Sequence, residues 1–346
     1  MAFDDKENHT VQELIEYLSV AQLDVLFPIF FDPYMMERVI THPRANHVVQ
    51  KYMKRLGPFA LTRALLVLSS DPRQMNRLAC GAIGNNVYQT GIKLSDVDQL
   101  NTFCKVLLVD DIILKMARNQ FGLCVIRCLF QQILAKQEPP PYYLQLKTCI
   151  FQNWNDLCFL KYGNLTAQFL ISSCMDNDDF EQFDLFNIVR TMSKHPHANH
   201  VVQTLCQRCA LHGTNEQKLQ MINATAMYFV QMATSQYGAF VCECVLKHFS
   251  TLSTLPLLNM LCDVGDKDDL HLSESQRKCL GYSSPTNLCL IAMTQYGTQF
   301  LQKFVDIADD VQLEKLDQIL ADDLVDIMMC ELSFGLTCTF NVLLKY

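Results

Sequence analysis

The stretch HPRANHVVQ, residues 42–50, decides the fold, because its pattern returns as HPHANHVVQ at residues 195–203. The five-residue block NHVVQ is identical in the two copies, and each copy follows a His-Pro-x-Ala lead-in. A block that recurs with its flanks intact is typical of a repeat protein, in which each unit buries its apolar face against its neighbours.

Related five-residue blocks, called pentads from here on, recur at similar intervals along the whole chain. A period of roughly 40 residues without strand-like alternation favours stacked helical hairpins or triplets. The interval between the seventh and eighth pentads is much longer than the others, which indicates an insertion. The pentads begin at Asn8, Asn46, Asn85, Leu123, Asn164, Asn199, Ala239, Thr298 and Leu336.

Within a pentad the third and fourth residues are usually apolar, and the first, second and fifth are mostly polar. At helical spacing the third and fourth residues point inward while the other three lie on another face. We therefore predict an exposed polar row made of the first, second and fifth residues, whose recurring amides suit reading the edges of flat heterocycles. The row holds Asn8, His9 and Gln12; Asn46, His47 and Gln50; Asn85, Asn86 and Gln89; Leu123, Cys124 and Arg127; Asn164, Leu165 and Gln168; Asn199, His200 and Gln203; Ala239, Phe240 and Glu243; Thr298, Gln299 and Gln302.

These features resemble the Pumilio (PUF) family of RNA-binding proteins over nearly the whole chain. Glu243 in the seventh pentad, followed by the long interval, matches the family's order of repeats. The resemblance implies an all-α fold, a crescent-shaped, right-handed α-solenoid of eight three-helix PUF repeats plus a C-terminal cap. It predicts one PUF repeat domain over residues 1–346, with repeat one truncated at its N-terminus, an insertion between repeats seven and eight at about 263–286, and a cap at about 311–346 that ends in SFGLTCTFNVLLKY.

In the family each repeat reads one base with two or three side chains. The resemblance implies that first and fifth residues contact a base edge and that second residues stack between bases. The implied stacking residues are His9, His47, Asn86, His200, Phe240 and Gln299. The implied base-edge residues are Asn8, Gln12, Asn46, Gln50, Asn85, Gln89, Arg127, Asn164, Gln168, Asn199, Gln203, Ala239, Glu243, Thr298 and Gln302.

The Asn and Gln pair of repeats one, two, three, five and six is the family's uracil reader, and Ala239 with Glu243 resembles its guanine reader. Thr298 with Gln302 resembles a weakened adenine or uracil reader. Arg127 favours cytosine or grips a phosphate, but Leu123 pairs with no base edge, so we expect little selectivity at repeat four. Because the family binds RNA antiparallel, the expected element is roughly 5′-NGUUNUUU-3′. The family often has Tyr or Arg at second positions, so we expect weaker stacking here.

Charge is an argument against RNA binding, since 28 basic residues face 36 acidic ones and the net charge is −8. A protein that relies on phosphate neutralisation carries a basic stripe. Many acidic residues fall in connections or outer segments, whereas Arg44, Lys51, Lys161 and Lys303 lie beside the row. A locally neutral or mildly basic binding face is therefore compatible with the sequence, with base contacts outweighing charge.

Other chemistry is unsupported. The 16 cysteines are spread through apolar helical runs and behave as small core residues, and the one C-x-x-C, residues 206–209, has no second pair at zinc-site spacing. No phosphate-loop or nucleophile motif is present. We therefore expect no enzyme activity, metal or cofactor. The chain has neither a signal-like start nor a membrane-length apolar run, so we expect a cytoplasmic protein that does not engage membranes.

The sequence therefore predicts a monomeric protein that binds U-rich single-stranded RNA in messenger RNA 3′ untranslated regions and regulates translation post-transcriptionally, by repression or destabilisation of the message. Regulatory protein partners are expected on the convex face and on the loop between repeats seven and eight. The alternative is a PUF-like solenoid that has lost specific RNA recognition and acts as a protein-interaction scaffold. A ribosome-biogenesis relative that binds structured RNA is disfavoured, because that role suits a more basic chain.

Overall fold

The computed structural model describes residues 4–175, 177–181, 183–263 and 286–329, and every regular element within these ranges is helical. The all-α prediction is therefore confirmed. The chain divides into two compact units, Met1–Phe169 and Leu170–Tyr346. The single-domain expectation stays a prediction, since a repeat array buries its core between neighbours rather than in one centre.

In the first unit, pentads lie in the first turns of α1, α4, α7 and α10, and α13 runs on into the second unit. Its helices are α1 (Asp5–Tyr17), α2 (Val20–Phe31), α3 (Pro33–Thr41), α4 (Ala45–Arg55), α5 (Pro58–Ser69), α6 (Pro72–Ala79), α7 (Asn85–Leu94), α8 (Val97–Leu107), α9 (Ile112–Ala117), α10 (Gln120–Leu134), α11 (Tyr143–Gln152), α12 (Trp154–Cys158) and α13 (Gly163–Ser173). A 3-10 turn, Val109–Asp111, precedes α9.

In the second unit, pentads lie in the first turns of α16, α19 and α22. Its helices are α14 (Asn177–Glu181), α15 (Leu185–Met192), α16 (Asn199–His212), α17 (Asn215–Met227), α18 (Phe229–Ala233), α19 (Gln236–His248), α20 (Ser250–Cys262), α21 (Asn287–Ala292), α22 (Gln295–Val305) and α23 (Asp310–Met329). Most of the expected insertion and the pentad at Leu336 lie outside the described residues, as does the terminal SFGLTCTFNVLLKY.

Helices that carry pentads pack on one another within each unit: α4 lies between α1 and α7, α7 also contacts α10, and α19 lies between α16 and α22. A second column, formed by α2, α5, α8 and α11 in the first unit and by α15, α17, α20 and α23 in the second, packs in the same sequence. The repeat period therefore places equivalent side chains of successive repeats side by side.

The third and fourth pentad residues form the core of these columns, as predicted. Val48 and Val49 are fully buried, and so are their counterparts Val201 and Val202. Repeat one departs from this pattern, since Thr10 is exposed and Val11 only half-buried. Burial of each Val contributes about 1.5–3 kcal/mol, so the pentads also hold the repeats together.

In repeats two to eight the residue before the pentad is Gly or Ala, because the pentad helix starts against the preceding short helix. A Cβ on Gly297 would lie 2.1 Å from the carbonyl oxygen of Ile291, and one on Gly122 would lie 2.5 Å from that of Met116. Real Cβ contacts are essentially never this short, so the backbone approach requires glycine at these positions. Within the described residues, no helix is both long and apolar enough to cross a membrane.

Candidate nucleic-acid interface

The structure separates the three positions of the polar row by depth. Second residues are exposed in all eight repeats and fifth residues are half-buried. Contrary to the prediction of an exposed row, first residues are buried: Asn46, Asn85, Asn164 and Asn199 are at most 4% exposed. The reason is that a helical side chain leans toward the N-terminus, so a first-turn residue covers the turn before its own helix.

The buried Asn side chains hold that preceding turn. Asn199 Nδ2 donates to the carbonyl oxygens of His195 at 2.7 Å and Pro196 at 3.0 Å. Because a carbonyl oxygen only accepts, the nitrogen of the amide must face the turn and Oδ1 must face the other way. Pairs of carbonyl oxygens hold Asn46, Asn85 and Asn164 in the same way, at distances of 2.7–3.0 Å.

The orientation of Asn determines that of the fifth-position Gln. Gln203 Nε2 donates to Asn199 Oδ1 at 2.9 Å, and the corresponding bond is 2.8 Å for Gln50, Gln89 and Gln168. Gln12 Nε2 donates to Asn8 Oδ1 in repeat one as well. Each glutamine therefore keeps one amide hydrogen and its Oε1 on the far side from the asparagine. The five amides share one orientation, with a donor and an acceptor side by side.

Repeats without a leading Asn begin differently. In repeats four, seven and eight the residue four before the pentad is an N-cap in extended conformation: Asn119, Ser235 and Thr294 accept a hydrogen bond from the backbone N–H of the glycine before the pentad. In repeats two, three and six the residue that precedes the helix has right-handed helical dihedrals, so the turn runs on into the helix. In repeats two, three and six the leading Asn thus goes with the continuous turn, and in repeats four, seven and eight the N-cap replaces it; repeat one combines Asn8 with a cap by Asp4, whose carboxylate accepts from the Glu7 backbone N–H.

The two His-Pro-x-Ala lead-ins contain a further cap. His195 Nδ1 accepts from the backbone nitrogens of His197 and Ala198, both at 3.2 Å, and His42 Nδ1 accepts from those of Arg44 and Ala45 at 3.3 Å. An accepting Nδ1 carries no proton. Burial and the neighbouring His197 lower the pKa of His195 below its ordinary value of 6.5, which agrees with an acceptor role.

Repeat four contacts repeat five through the side chain of Arg127. Arg127 donates from Nη2 to the carbonyl oxygen of Leu165 at 3.2 Å, and its guanidinium carbon lies 5.7 Å from the ring centre of Phe169. Leu123 is 4% exposed and Cys124 is exposed. The expectation that Arg127 contacts a base stays a prediction; in this structure its guanidinium joins repeats four and five.

Repeats seven and eight offer little hydrogen-bonding capacity at their first positions. Repeat seven has a carboxylate, that of Glu243, at its fifth position. Ala239 is buried, and Thr298 Oγ1 lies within bonding distance of the carbonyl oxygens of Ala292 and Thr294. The Glu243 side chain is 17% exposed and its Oε2 pairs with Lys303 Nζ of the next repeat. Glu243 is therefore the hydrogen-bonding group that repeat seven places on the polar row.

At least two of the four basic side chains beside the row are paired with acidic side chains. Lys303 pairs with Glu243, and Lys51 pairs with Glu16. Lys161 Nζ lies 5.4 Å from the ring centre of Tyr162. These two ion pairs reduce the positive charge beside the row.

Most of the described cysteines are core residues. Cys206 and Cys209, the C-x-x-C pair, are both buried in α16, and burial raises the pKa of the Cys209 thiol to about 11. Cys158 is equally enclosed, and burial raises its pKa as well. Among the described residues, no group of three or more His, Cys, Asp or Glu side chains is arranged to hold a metal ion.

Two features of the site were not inferred from the sequence. The N-caps were missed, although the tripeptide Gln-aromatic-Gly after Asn119, Ser235 and Thr294 is a shared signal for them. The residue after the pentad was also missed: Thr90 and Lys303 contact the fifth residue of the repeat before. Those contacts join residues 40 and 60 positions apart, so no local pattern reports them.

Fold and site together define an α-helical repeat protein whose repeats present one matched set of exposed and half-buried side chains. Comparison with known proteins finds a matching repeat in part of the chain. Residues 189–224, 228–262 and 287–316 match the model of the Pumilio-family RNA binding repeat. No curated protein sequence matches the chain.

Solved PUF structures share the fold at low identity. The Puf4 RNA-binding domain bound to the HO endonuclease RNA 3′ UTR recognition sequence is 16% identical, with a TM-score of 0.77, and the match covers 99% of this chain and 97% of that one. PUF-8 in complex with PBE-RNA is 14% identical with a TM-score of 0.73, over 100% and 91% of the two chains. The yeast Puf5p RNA-binding domain bound to AAT2 RNA is 14% identical with a TM-score of 0.66, over 99% and 95%. The chain thus matches the Pumilio-family RNA binding repeat over these three segments and shares the fold of solved PUF domains.

Proposed function

We propose that this protein binds single-stranded RNA in a sequence-specific manner, one base per repeat. The observation that carries the proposal is the common orientation of the five Gln amides, each anchored by an Asn through a bond such as that from Gln203 Nε2 to Asn199 Oδ1. A solvated surface Gln has no reason to be held in the same way in five repeats. Single-stranded bases are recognised by hydrogen bonds to their edges and by stacking, which these rows offer.

Uracil is the base that this amide fits. Gln203 keeps one N–H donor and the Oε1 acceptor adjacent, and the uracil edge presents the N3–H donor next to carbonyl acceptors. In this proposal the fifth residue makes the principal base contact, and the buried first Asn orients it. The second residues, among them the exposed His200 and Phe240, supply the stacking surface; each stacked base contributes about 1–3 kcal/mol.

Repeat seven selects guanine in the same proposal. A carboxylate accepts from both N1–H and N2–H of guanine, and charge assistance strengthens such bonds. Glu243 is the acidic member of the row. If RNA lies antiparallel to the chain, as the resemblance to the PUF family implies, the guanine read by repeat seven lies 5′ of the uracils read by the repeats before it. The proposed element is then roughly 5′-NGUUNUUU-3′, with repeats four and eight unassigned.

The biological role follows from the proposed binding. The Puf4 neighbour is bound to a 3′ UTR recognition sequence and the PUF-8 neighbour to PBE-RNA. We propose that the present protein binds messenger RNA 3′ untranslated regions in the cytoplasm and represses or destabilises the message through recruited proteins, with no catalytic step of its own.

Selection from a random RNA pool tests the proposal. We expect wild-type protein to enrich a U-rich core with a GU step. Gln203→Met, which keeps the side-chain length and removes both hydrogen-bonding groups, is expected to abolish selection for uracil at one position. Gln207→Met is the matched control, because Gln207 is exposed one turn further along the same helix. We expect it to select like wild type.

Glu243→Gln provides a second, independent position. We expect it to lose guanine at its own base and keep uracil at the base read by Gln203. If the wild-type pool shows no enrichment, or if Gln203→Met and Glu243→Gln select the wild-type sequence, RNA reading is wrong and a protein-interaction scaffold becomes the better account of the fold.

A further inference from the structure

The residue immediately after the pentad, the sixth position, lies against the fifth residue of the preceding repeat in repeats three, four, five, seven and eight, whereas in repeat two this residue is Lys51, which pairs with Glu16. This holds at five inter-repeat contacts within the two units. The contacts are Thr90 Oγ1 to Gln50 Oε1 at 3.1 Å, Cys128 Sγ to the Gln89 carbonyl oxygen at 3.6 Å, the Phe169 ring to the Arg127 guanidinium at 5.7 Å, Cys244 Sγ to the Gln203 carbonyl oxygen at 3.6 Å, and Lys303 Nζ to Glu243 Oε2.

From this we propose that the sixth position is a specificity-determining position that acts on the base reader of the repeat before it. The inference rests on the proposed RNA reading and adds a residue to it. Two of the five contacts, those of Thr90 and Lys303, reach the very atoms that would meet a base. The remaining three hold the backbone or the flat face of the reader.

The reader of repeat seven is a charged carboxylate, and the sixth residue of repeat eight pairs with it. Lys303 occupies Oε2 of Glu243, and the lysine side chain is 53% exposed while the glutamate side chain is only 17% exposed. A carboxylate oxygen has two lone pairs, so Oε2 can keep its lysine and still accept from guanine. The pair sets the plane of the carboxylate before RNA arrives, and it neutralises a negative charge that lies beside the path of the phosphates.

The reader of repeat two is the amide of Gln50, and the sixth residue of repeat three contacts its oxygen. Gln50 Nε2 is held by Asn46 Oδ1 at 2.8 Å, and Gln50 Oε1 faces Thr90 Oγ1. The Thr90 hydroxyl also lies 2.9 Å from the Asn86 carbonyl oxygen, so its single hydrogen is shared between two acceptors. Both ends of the Gln50 amide are therefore fixed, and less conformational freedom is lost when it binds a base.

The repeats differ in what they place at this position, which is why it bears on specificity. A cation follows the pentad of repeat eight and meets a carboxylate; a hydroxyl follows that of repeat three and meets an amide oxygen; an aromatic ring follows that of repeat five and meets a guanidinium. In each case the chemistry of the sixth residue suits that of the reader it touches, as expected if the two act together.

Binding constants of Lys303→Met for RNAs that carry each of the four bases at the repeat-seven position test the proposal. We expect the preference for guanine over adenine to fall at least threefold, and the preference for uracil at the repeat-six position to stay within twofold of wild type. Lys303→Arg should restore guanine preference, because it keeps the cation. Lys247→Met, an exposed lysine of α19, is the matched control and should behave as wild type.

Thr90→Val gives the neutral counterpart, with Thr102→Val as its control, since Thr102 lies in α8 away from the pentads and its hydroxyl donates to the Asp98 carbonyl oxygen in its own helix. We expect uracil preference at the repeat-two position to fall about threefold in Thr90→Val alone. Equal loss for all four bases in Lys303→Met would reduce Lys303 to a phosphate contact and overturn the inference, as would unchanged base preference in both variants. Absence of base preference in wild type would instead overturn the RNA reading itself.

Discussion

At the residue scale, the first pentad position is the clearest case of a residue whose role depends on depth. An Asn in a polar row is expected to face the ligand, yet Asn199 is fully buried and makes three hydrogen bonds inside its own repeat. Its side chain therefore stabilises the preceding turn and orients Gln203. Loss of binding after mutation of Asn199 would therefore not show that it touches RNA.

We expect Asn199→Ala to lower the stability of the protein by about 1–3 kcal/mol, because it leaves two carbonyl oxygens and the Gln203 amide without their partner. Gln203→Met should cost less than about 1 kcal/mol, since Gln203 is half-buried at the surface. Urea unfolding of both variants measures the difference, with Asn223→Ala, an exposed residue of α17, as the control. Equal stability of Asn199→Ala and wild type would contradict the positioning role.

Stability at acidic pH depends on the capping histidine. Because the folded-state pKa of His195 lies below 6.5, the unfolded chain binds a proton there more readily than the folded protein does. The stabilisation is complete above pH 6.5 and is lost as the pH falls below that value. We expect the urea midpoint to drop between pH 7.5 and pH 5.5 by a larger amount in wild type than in His195→Asn, which caps the helix without titrating.

His212→Asn serves as the control for this comparison, since His212 is exposed at the other end of α16. It should retain the wild-type pH dependence. A His195→Asn variant that loses stability on acidification as steeply as wild type would show that the cap does not respond to pH.

At the element scale, the sequence was informative where a signal recurs and silent where a contact joins distant segments. The repeat period located every pentad helix of the described residues, because most pentads carry two inward apolar residues in a fixed place. The polarity of the row located its second and fifth positions. The burial of Asn199 and the contact of Thr90 with Gln50 could not be predicted from the sequence, since both depend on how one helix packs against another.

Helix starts show the same limit. The Gly or Ala before the pentads of repeats two to eight was visible in the sequence, but the reason for it is the approach of two backbones. We expect Gly297→Ala to destabilise the protein by about 1–3 kcal/mol, because its Cβ would meet the Ile291 carbonyl oxygen and the helices would have to separate. Ala198→Gly, at the equivalent position of repeat six, should cost no more than about 1 kcal/mol.

Thermal unfolding of the two variants measures this asymmetry. Near-equal effects would mean that the start of α22 shifts without cost and that glycine is not required there. RNA selection by Gly297→Ala also bears on the element, since displacement of α22 would move Lys303 away from Glu243 and weaken guanine preference at repeat seven.

At the scale of the whole molecule, net charge and local charge give opposite expectations. A chain with a net charge of −8 does not attract RNA from a distance, yet the residues beside the polar row are close to neutral, because Lys51 and Lys303 pair with acidic neighbours. Affinity then has to come from base edges and stacking. In the proposed RNA complex, the pairing of acids with Lys51 and Lys303 also means that few counterions are displaced.

The salt dependence of RNA binding measures this balance. Four basic side chains lie beside the row, Arg44, Lys51, Lys161 and Lys303, and each phosphate neutralised on a single strand contributes about −0.7 to the slope of log K against log salt concentration. We expect a slope no steeper than about −3. Lys161→Met should make it shallower by about 0.7, whereas Lys105→Met, an exposed lysine of α8, should leave it unchanged. A slope near −5 or steeper would show that phosphates are bound by basic groups away from the row, and base reading would then not be the main source of affinity.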